Sequence, residues 1–223
     1  LTETDLEAVD THNCTVFLVN LGETSQGVLY DASLIGRFCR EHGLFLIVDG
    51  ISSFLADPFD MEAMGADVLI TDAQKALACP PGVAPMVLSP DAVNRANSLR
   101  QPCMYLDLCE MLRNQERGQT PFPPAVTTLL QIHERLAALD AAGGAKVEVA
   151  RCANVANDFR NRIFSSGLPF QMRLASPSNA VTYIESPYVS AKALFALLKD
   201  EYGIWLCPNG GEKADTSFRV GHI

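Results

Sequence analysis

A short apolar run that leads into a lysine constrains this sequence more than any other feature. Residues 68–81 read V-L-I-T-D-A-Q-K-A-L-A-C-P-P, and the apolar start is typical of a buried strand. Pro80 and Pro81 prevent a long helix from following, because proline has no amide hydrogen to donate. The sequence therefore places Lys75 on a short connection after a strand, although a lone lysine more often lies on a solvated surface.

A second apolar run brings a carboxylate to the same place. Residues 44–48 (L-F-L-I-V) are typical of a parallel strand that is buried on both faces, and Asp49 follows them. Ligands of open α/β sheets bind at the carboxyl ends of such strands. Pyridoxal phosphate needs a lysine that binds it covalently and an acid that keeps its pyridine nitrogen protonated. Lys75 and Asp49 together indicate a pyridoxal-phosphate site.

The sequence around these two residues resembles class V pyridoxal-phosphate aminotransferases. The resemblance lies in V-D-G-I-S-S (48–53), T-D-A-Q-K-A-L-A-C-P-P-G (71–82), G-E-T-S-Q-G-V-L (22–29), R-G-Q-T-P-F (117–122) and S-F-R-V-G-H (217–222). It is greatest to the branch of alanine–glyoxylate, serine–pyruvate and 2-aminoethylphosphonate aminotransferases. It implies the fold-type I α/β architecture, with a mostly parallel sheet in a large domain (1–150) and a small α+β domain (151–223).

The resemblance also implies roles for single residues around the cofactor. Ser25 would hydrogen-bond its phosphate or ring oxygen, although by spacing alone it is a plain turn residue. Ile51 would lie against the pyridine ring, Ser53 would add a polar contact, and Gln74 would support the cofactor's edge. Thr120 would reach the phosphate of the neighbouring subunit's cofactor, which implies a homodimer.

Arg219 is the candidate for substrate binding. Its planar guanidinium can bind a carboxylate through two parallel hydrogen bonds, and it matches the carboxylate-binding arginine of the family. An isolated arginine in a surface ion pair is the alternative. The implied reaction is a ping-pong transamination from an amino acid or aminophosphonate to a small 2-oxo acid such as pyruvate or glyoxylate. Lys75 would move the proton between substrate and cofactor.

Composition excludes several other classes of function. The 223 residues carry a net charge of -9, which argues against nucleic acid or an anionic membrane surface as a partner. Neither a signal peptide nor a membrane-length apolar segment is visible. The seven cysteines have no metal-ligand spacing and are interpreted as buried packing residues of a cytoplasmic protein, and the four histidines form no metal-site pattern.

Regular structure is expected from the apolar periodicity and from the positions of glycine and proline. Strands are predicted at 15–20, 44–48, 68–72, 85–88 and 180–185, with a last strand that ends at 218–221. Helices are predicted at 31–42, 60–65, 91–97, 105–113, 125–142, 146–165 and 190–201.

Two departures from the family keep other interpretations open. The sequence has no counterpart of the family's glycine-containing phosphate loop or of its ring-stacking aromatic residue, which precede this region. Exposed apolar surface is therefore expected. A class V desulfurase or lyase is one alternative, but desulfurases typically have histidine where Gln74 stands. The other alternative is a catalytically inactive fragment that acts as a structural or interaction module.

Overall fold

The computed structural model describes residues 1–99, 102–172 and 175–223. The strands are β1 (Val16–Asn20), β2 (Gly22–Glu23), β3 (Val28–Leu29), β4 (Phe45–Asp49), β5 (Val68–Ile70), β6 (Met86–Leu88), β7 (Gln171–Met172), β8 (Val181–Glu185), β9 (Cys207–Pro208) and β10 (Ser217–Gly221). The helices are α1 (Glu3–Glu7), α2 (Ala32–Glu41), α3 (Met61–Met64), α4 (Pro90–Ser98), α5 (Leu108–Glu116), α6 (Val126–Ala141), α7 (Ala145–Ser165) and α8 (Ala191–Tyr202).

The first sheet has the strand order β1-β4-β5-β6, in which β1, β4 and β5 are parallel and β6 is antiparallel. Asn20, Asp49 and Ile70 are in register, so the carboxyl ends of the three parallel strands meet at one edge. Helix α2 packs the apolar residues Ile35 and Phe38 into the core of this sheet, as its spacing predicts. The predicted α/β class with a mostly parallel sheet is confirmed.

The second sheet is antiparallel and has the order β7-β8-β10-β9. Its core includes Ile184 and Phe218, which pack with Ala191 of α8. Arg219 lies on β10 between Tyr183 of β8 and Cys207 of β9. The register of the second sheet therefore determines the position of the Arg219 Cα.

A small hairpin, β2–β3, connects the two sheets. Leu29 N donates to Ser176 O (2.9 Å) and Ser178 N donates to Gly27 O (3.0 Å). Gly27 has φ 64°, and a Cβ there would lie 3.0 Å from both Val181 O and Tyr183 N. The sequence predicted a turn at this segment but not its contact with the second sheet.

Two features of the periphery also bear on the sequence predictions. Helix α5 begins at Leu108, not at residue 105, because the Asp107 side chain accepts a hydrogen bond from Glu110 N and caps the helix there. Leu18 on β1 and Val87 on β6 are 72% and 51% exposed, so the predicted exposed apolar surface is present on the outer strands. In the part of the chain that the structure describes, no helix is long and apolar enough to cross a membrane.

Replacing Gly36 of α2 with alanine is expected to destabilise the fold. A Cβ at this position would lie 2.0 Å from the backbone carbonyl oxygen of Met64, which also accepts a hydrogen bond from Arg40 Nη1 at 2.9 Å. Because backbone must move, we expect Gly36→Ala to lower the free energy of unfolding by about 3 kcal/mol. Urea denaturation followed by circular dichroism measures this change.

Gly210→Ala is the matched control for this substitution. Gly210 has φ -95° and nothing within 4 Å of an added Cβ. Its free energy of unfolding is expected to stay within about 0.5 kcal/mol of the parent. Equal stability of the Gly36→Ala protein and the parent would contradict the close approach of α2 and α3.

Candidate active site

A cavity of about 440 Å³ lies between the two sheets, at the carboxyl edge of the first. Thr24, Ser52, Gln74 and Lys75 line one side of it, and Cys207 and Arg219 line the other. The same space is thus lined by three residues that the sequence analysis selected, Gln74, Lys75 and Arg219, although Arg219 is distant from the other two along the chain.

Lys75 lies on a compact loop that follows β5. Cys79 N donates to Ala73 O (2.9 Å), which closes the loop, and Ala78 N donates to Lys75 O (2.8 Å). Ala78 has φ 55°, a left-handed conformation that lets the chain turn back tightly. Lys75 is half-buried, and among the described residues its amine has no hydrogen-bond or ion-pair partner. The amine is available to a ligand.

Asp49 ends β4, beside this loop. Its Oδ1 accepts a hydrogen bond from Ile51 N at 2.8 Å, whereas Oδ2 has no partner among the described residues. The chain turns sharply here, since Gly50 N donates to Ile70 O at 2.8 Å and a Cβ on Gly50 would lie 2.7 Å from Leu69 Cδ1. The turn holds one carboxylate oxygen, and no other described residue binds the second.

Arg219 reaches the cavity from the opposite side. Its Nη2 donates to Cys207 Sγ (3.0 Å) and its Nη1 to Thr24 O (3.4 Å). Its Nε is buried and has no hydrogen-bond partner, and within the described ranges no carboxylate forms an ion pair with it. Because a buried donor without a partner is costly, this guanidinium suits an anionic ligand.

Other predicted residues lie outside the cavity wall. Ser53 is buried, with its hydroxyl 3.5 Å from Gly50 O, and Ile51 is half-buried in the same turn. Ser25 is exposed, with its backbone N donating to Glu23 Oε1, and Thr120 is exposed, with its hydroxyl donating to Phe122 O at 2.7 Å. Their roles toward a cofactor remain predictions.

The cavity also contains residues that sequence reasoning missed. Thr24 Oγ1 and Ser52 Oγ are 2.6 Å apart and line the wall next to the predicted positions Ser25 and Ser53. The hydroxyl-rich turn was the signal for Thr24. No sequence pattern indicated that Cys207 lies in the cavity. The interpretation of all cysteines as buried is wrong for three of them, which are exposed: Cys14, Cys103 and Cys207.

These features coincide with a match to a known family. The sequence profile described as aminotransferase class-V matches residues 1–124, which is more than half of the chain. The chain belongs to the class V aminotransferase family.

Similarity to relatives and to a solved structure extends over nearly the whole chain. A protein of Anabaena cylindrica named soluble hydrogenase 42 kDa subunit is 28% identical, over 98% of this chain and 57% of that protein. A 2-aminoethylphosphonate–pyruvate transaminase of Burkholderia mallei is 34% identical, over 93% of this chain and 56% of the relative. The crystal structure of an alanine–glyoxylate aminotransferase from Nostoc sp. is 25% identical, with a TM-score of 0.84, over 98% of this chain and 58% of that one. This class V aminotransferase chain spans about half the length of the relatives it matches.

Pyridoxal phosphate, the cofactor of this family, fits Lys75 of the cavity wall and Asp49, which ends β4 beside the Lys75 loop but is not among the residues that line the cavity. Lys75 offers an amine and Asp49 a carboxylate oxygen, both without partners among the described residues. Arg219, on the opposite wall, offers a positively charged guanidinium that suits an anionic group. The roles of these three residues toward the cofactor and a substrate remain predictions.

A buried polar network lies behind the cavity. Asp57, on the turn after Asp49, accepts hydrogen bonds from Ser178 Oγ and from Asn179 N, each at 2.7 Å, and burial raises its pKa. Thr182 and His222 extend the network, with the hydroxyl and Nε2 2.8 Å apart. Burial, and secondarily the charge of Arg160, lowers the pKa of His222 to about 4.

The lowered pKa of His222 predicts loss of stability in mild acid. As pH falls, the unfolded chain binds a proton at this histidine near pH 6.5, whereas the folded chain does so only near pH 4, so protonation favours unfolding. Between pH 7 and pH 5 we expect this group to remove about 2 kcal/mol from the free energy of unfolding. Asp57 acts in the opposite direction, because its raised pKa lets the folded state bind a proton first.

Urea denaturation of the parent and of His222→Gln at pH 7 and pH 5 isolates the histidine, because Asp57 is present in both proteins. The difference between the two pH values should shrink in the variant by about 2 kcal/mol. His133→Gln, at an exposed histidine of α6, should behave like the parent. Equal pH dependence of His222→Gln and the parent would show that His222 is not held neutral by its surroundings.

Proposed function

We propose that this chain is part of a pyridoxal-phosphate-dependent aminotransferase that moves an amino group from an amino acid or aminophosphonate to a small 2-oxo acid. The observation that carries the proposal is the single cavity that both Lys75 and Arg219 enter from opposite sides. A covalent anchor for the cofactor and a binding group for a carboxylate are the two requirements of an amino-acid substrate.

The residues of the first sheet would hold the cofactor. Lys75 would bind it covalently, and the free Oδ2 of Asp49 would accept the hydrogen bond of its protonated ring nitrogen. Gln74, which donates to Asp72 Oδ2 at 2.6 Å, would support its edge, and Thr24 and Ser52 supply hydroxyls to the same wall. When bound, the cofactor would supply electron withdrawal from the substrate Cα. Lys75 would take the proton from that Cα and return it as general base and acid.

The residues of the second sheet would select the substrate. Arg219 would bind the substrate carboxylate while Thr24 O and Cys207 Sγ hold its other donors. The acceptors named for the relatives are pyruvate in the transaminase of Burkholderia mallei and glyoxylate in the aminotransferase of Nostoc sp.. We propose a small 2-oxo acid of this kind as acceptor.

We further propose a cytoplasmic homodimer in which Thr120 reaches the phosphate of the partner's cofactor. Thr120 is an exposed residue in the stretch between α5 and α6, which is compatible with a contact to a second subunit. A boundary near residue 150, inside α7, would divide the chain into the predicted large and small domains. The first sheet precedes this helix and the second follows it.

Half-reactions test the proposed function directly. The chain is supplied with pyridoxal phosphate and with alanine, serine, aspartate or 2-aminoethylphosphonate in turn. Release of the matching oxo product is then measured by mass spectrometry. We expect stoichiometric product with at least one donor and return of the amino group on addition of pyruvate or glyoxylate. A bound cofactor with no oxo product from any donor would favour the structural or interaction module instead.

Substitution of Arg219 tests the substrate side of the cavity. Arg219→Gln removes the charge-assisted hydrogen bonds to the carboxylate, so we expect the KM for the 2-oxo acid to rise about 30-fold with a smaller change in kcat. Arg219→Lys keeps the charge but loses the two-pronged geometry, so an intermediate KM is expected. Steady-state kinetics with pyruvate or glyoxylate provide the measurement.

Arg162→Gln is the control for the arginine substitution. Arg162 is exposed on α7 and pairs with Asp158 of the same helix at 2.8 Å. Its KM should equal that of the parent. An unchanged KM in Arg219→Gln would remove the arginine from substrate binding.

A further inference from the structure

The network behind the cavity connects the turn that follows Asp49 to the segment that leads into β8. Asp57 and Arg160 are 2% and 6% exposed, and both bind Ser178. Asp57 accepts from the Ser178 hydroxyl, and Arg160 Nη2 donates to the Ser178 carbonyl. Asn179 adds two more bonds across the same boundary, from its N to Asp57 Oδ1 at 2.7 Å and from Nδ2 to Ala56 O at 3.1 Å.

The two ends of this network lie next to the two sides of the cavity. On one side, Asp57 N donates to Ser53 O at 2.8 Å, so Asp57 belongs to the turn that begins at Asp49 and contains Ser52. On the other side, Ser178 leads into β8, whose residues Tyr183 and Thr182 pair with Arg219 and Val220 of β10.

Arg160 extends the connection to the end of β10. Its Nε donates to Thr182 Oγ1 at 2.9 Å, and that hydroxyl lies 2.8 Å from Nε2 of His222, three residues after Arg219. A buried aspartate and a buried arginine are costly to desolvate, and hydrophobic replacements of such groups often stabilise proteins. We therefore expect the main effect of these hydrogen bonds to be the relative position of the Asp57 turn and the segment before β8, and their contribution to the free energy of unfolding to be small.

We propose that Asp57 and Arg160 are positioning residues for substrate recognition, which set where Arg219 stands relative to the cofactor side of the cavity. The inference rests on the proposed function in that the substrate carboxylate is the ligand of Arg219. Neither residue lines the cavity or touches the substrate. They act through Ser178, β8 and β10.

Asp57→Asn and Asp67→Asn form a matched pair for the test. Asparagine at 57 keeps the shape but can accept only one of the two hydrogen bonds that Asp57 receives. Asp67 likewise accepts one hydrogen bond from a backbone N–H, Leu46 N at 2.8 Å, and one from a serine hydroxyl, Ser89 Oγ at 3.2 Å. Asp67 differs in location, since it precedes β5 at the edge of the sheet away from the cavity. Ser178→Ala removes the hydroxyl partner of Asp57 and serves if Asp57→Asn folds poorly.

Two readouts separate positioning from a structural role. In steady-state transamination we expect Asp57→Asn to raise the KM for pyruvate about tenfold with little change in kcat, and Asp67→Asn to leave both unchanged. In the Arg219→Gln background, Asp57→Asn should have no further effect on KM, because both act on one interaction. An unchanged KM in folded Asp57→Asn and Ser178→Ala, or full additivity with Arg219→Gln, would overturn the inference.

A binding measurement distinguishes this inference from the proposed function. The dissociation constant of pyruvate is measured by saturation-transfer NMR on the same variants without added cofactor, where no turnover is needed. A tenfold rise in Asp57→Asn but not in Asp67→Asn would support positioning even if no donor is transaminated, in which case only the proposed function fails. Equal pyruvate binding by Asp57→Asn and the parent would overturn the positioning role.

Discussion

Lys75→Ala is expected to lower the rate constant of the amino-transfer half-reaction at least about 1000-fold, because in the proposed function one side chain supplies both the covalent anchor and the proton transfer. Borohydride reduction of the cofactor-loaded chain, followed by peptide mass mapping, should place the cofactor on Lys75 in the parent. No other lysine is expected to be labelled stoichiometrically. Stability should change little, since the Lys75 amine has no partner among the described residues.

Lys192→Ala is the control for loss of a lysine. Lys192 is exposed on α8 and does not line the cavity. Its rate constant and labelling pattern should match those of the parent. Stoichiometric labelling of another lysine, or a half-reaction in Lys75→Ala at the parental rate, would refute the assignment. Added methylamine provides a further check, because a small amine can replace the proton-transfer function but not the covalent anchor.

The positions of Lys75 and Asp49 in the fold were predictable because their signals are local. An apolar strand, a lysine and two prolines within residues 68–81 place Lys75 after β5, and Asp49 follows a second buried strand. Parallel pairing of β4 with β5 then brings both residues to one edge without any side-chain detail. The resemblance to the family added Arg219, which local pattern alone would have left as a surface ion pair.

Contacts between distant segments were not predictable in the same way. The bond from Arg219 to Thr24 O spans 195 positions, and the bond from Ser178 to Asp57 spans 121. Neither leaves a periodicity in the sequence, because each depends on how the second sheet meets the first. Cys207 was missed for the same reason. The start of α5 was predicted at residue 105 from the apolar residues there, whereas the helix begins at Leu108 because the Asp107 side chain caps it.

Asp49→Asn is expected to slow the half-reaction about 100-fold while the cofactor still attaches to Lys75. The asparagine Oδ1 can keep the 2.8 Å bond from Ile51 N, so the turn after β4 survives. In the proposed function this substitution removes the negative charge opposite the protonated ring nitrogen, and removal of one preorganised electrostatic partner typically costs a factor of about 100 to 1000 in rate. Stopped-flow absorbance of the cofactor-loaded chain with the best donor measures the rate constant.

Comparison with Asp49→Ala separates the electronic role of Asp49 from its structural role. Alanine removes the bond to Ile51 N as well, so we expect it to lower the free energy of unfolding by about 1 kcal/mol, a change that Asn avoids. Asp31→Asn, at the N-cap of α2, removes one negative charge away from the cavity and should leave the rate unchanged. If Asp49→Asn reacts at the parental rate, the carboxylate serves only the turn. If it is slow while its stability and its labelling at Lys75 match the parent, then the charge of Asp49 acts on the chemistry itself, as the free Oδ2 at the end of β4 leads us to expect.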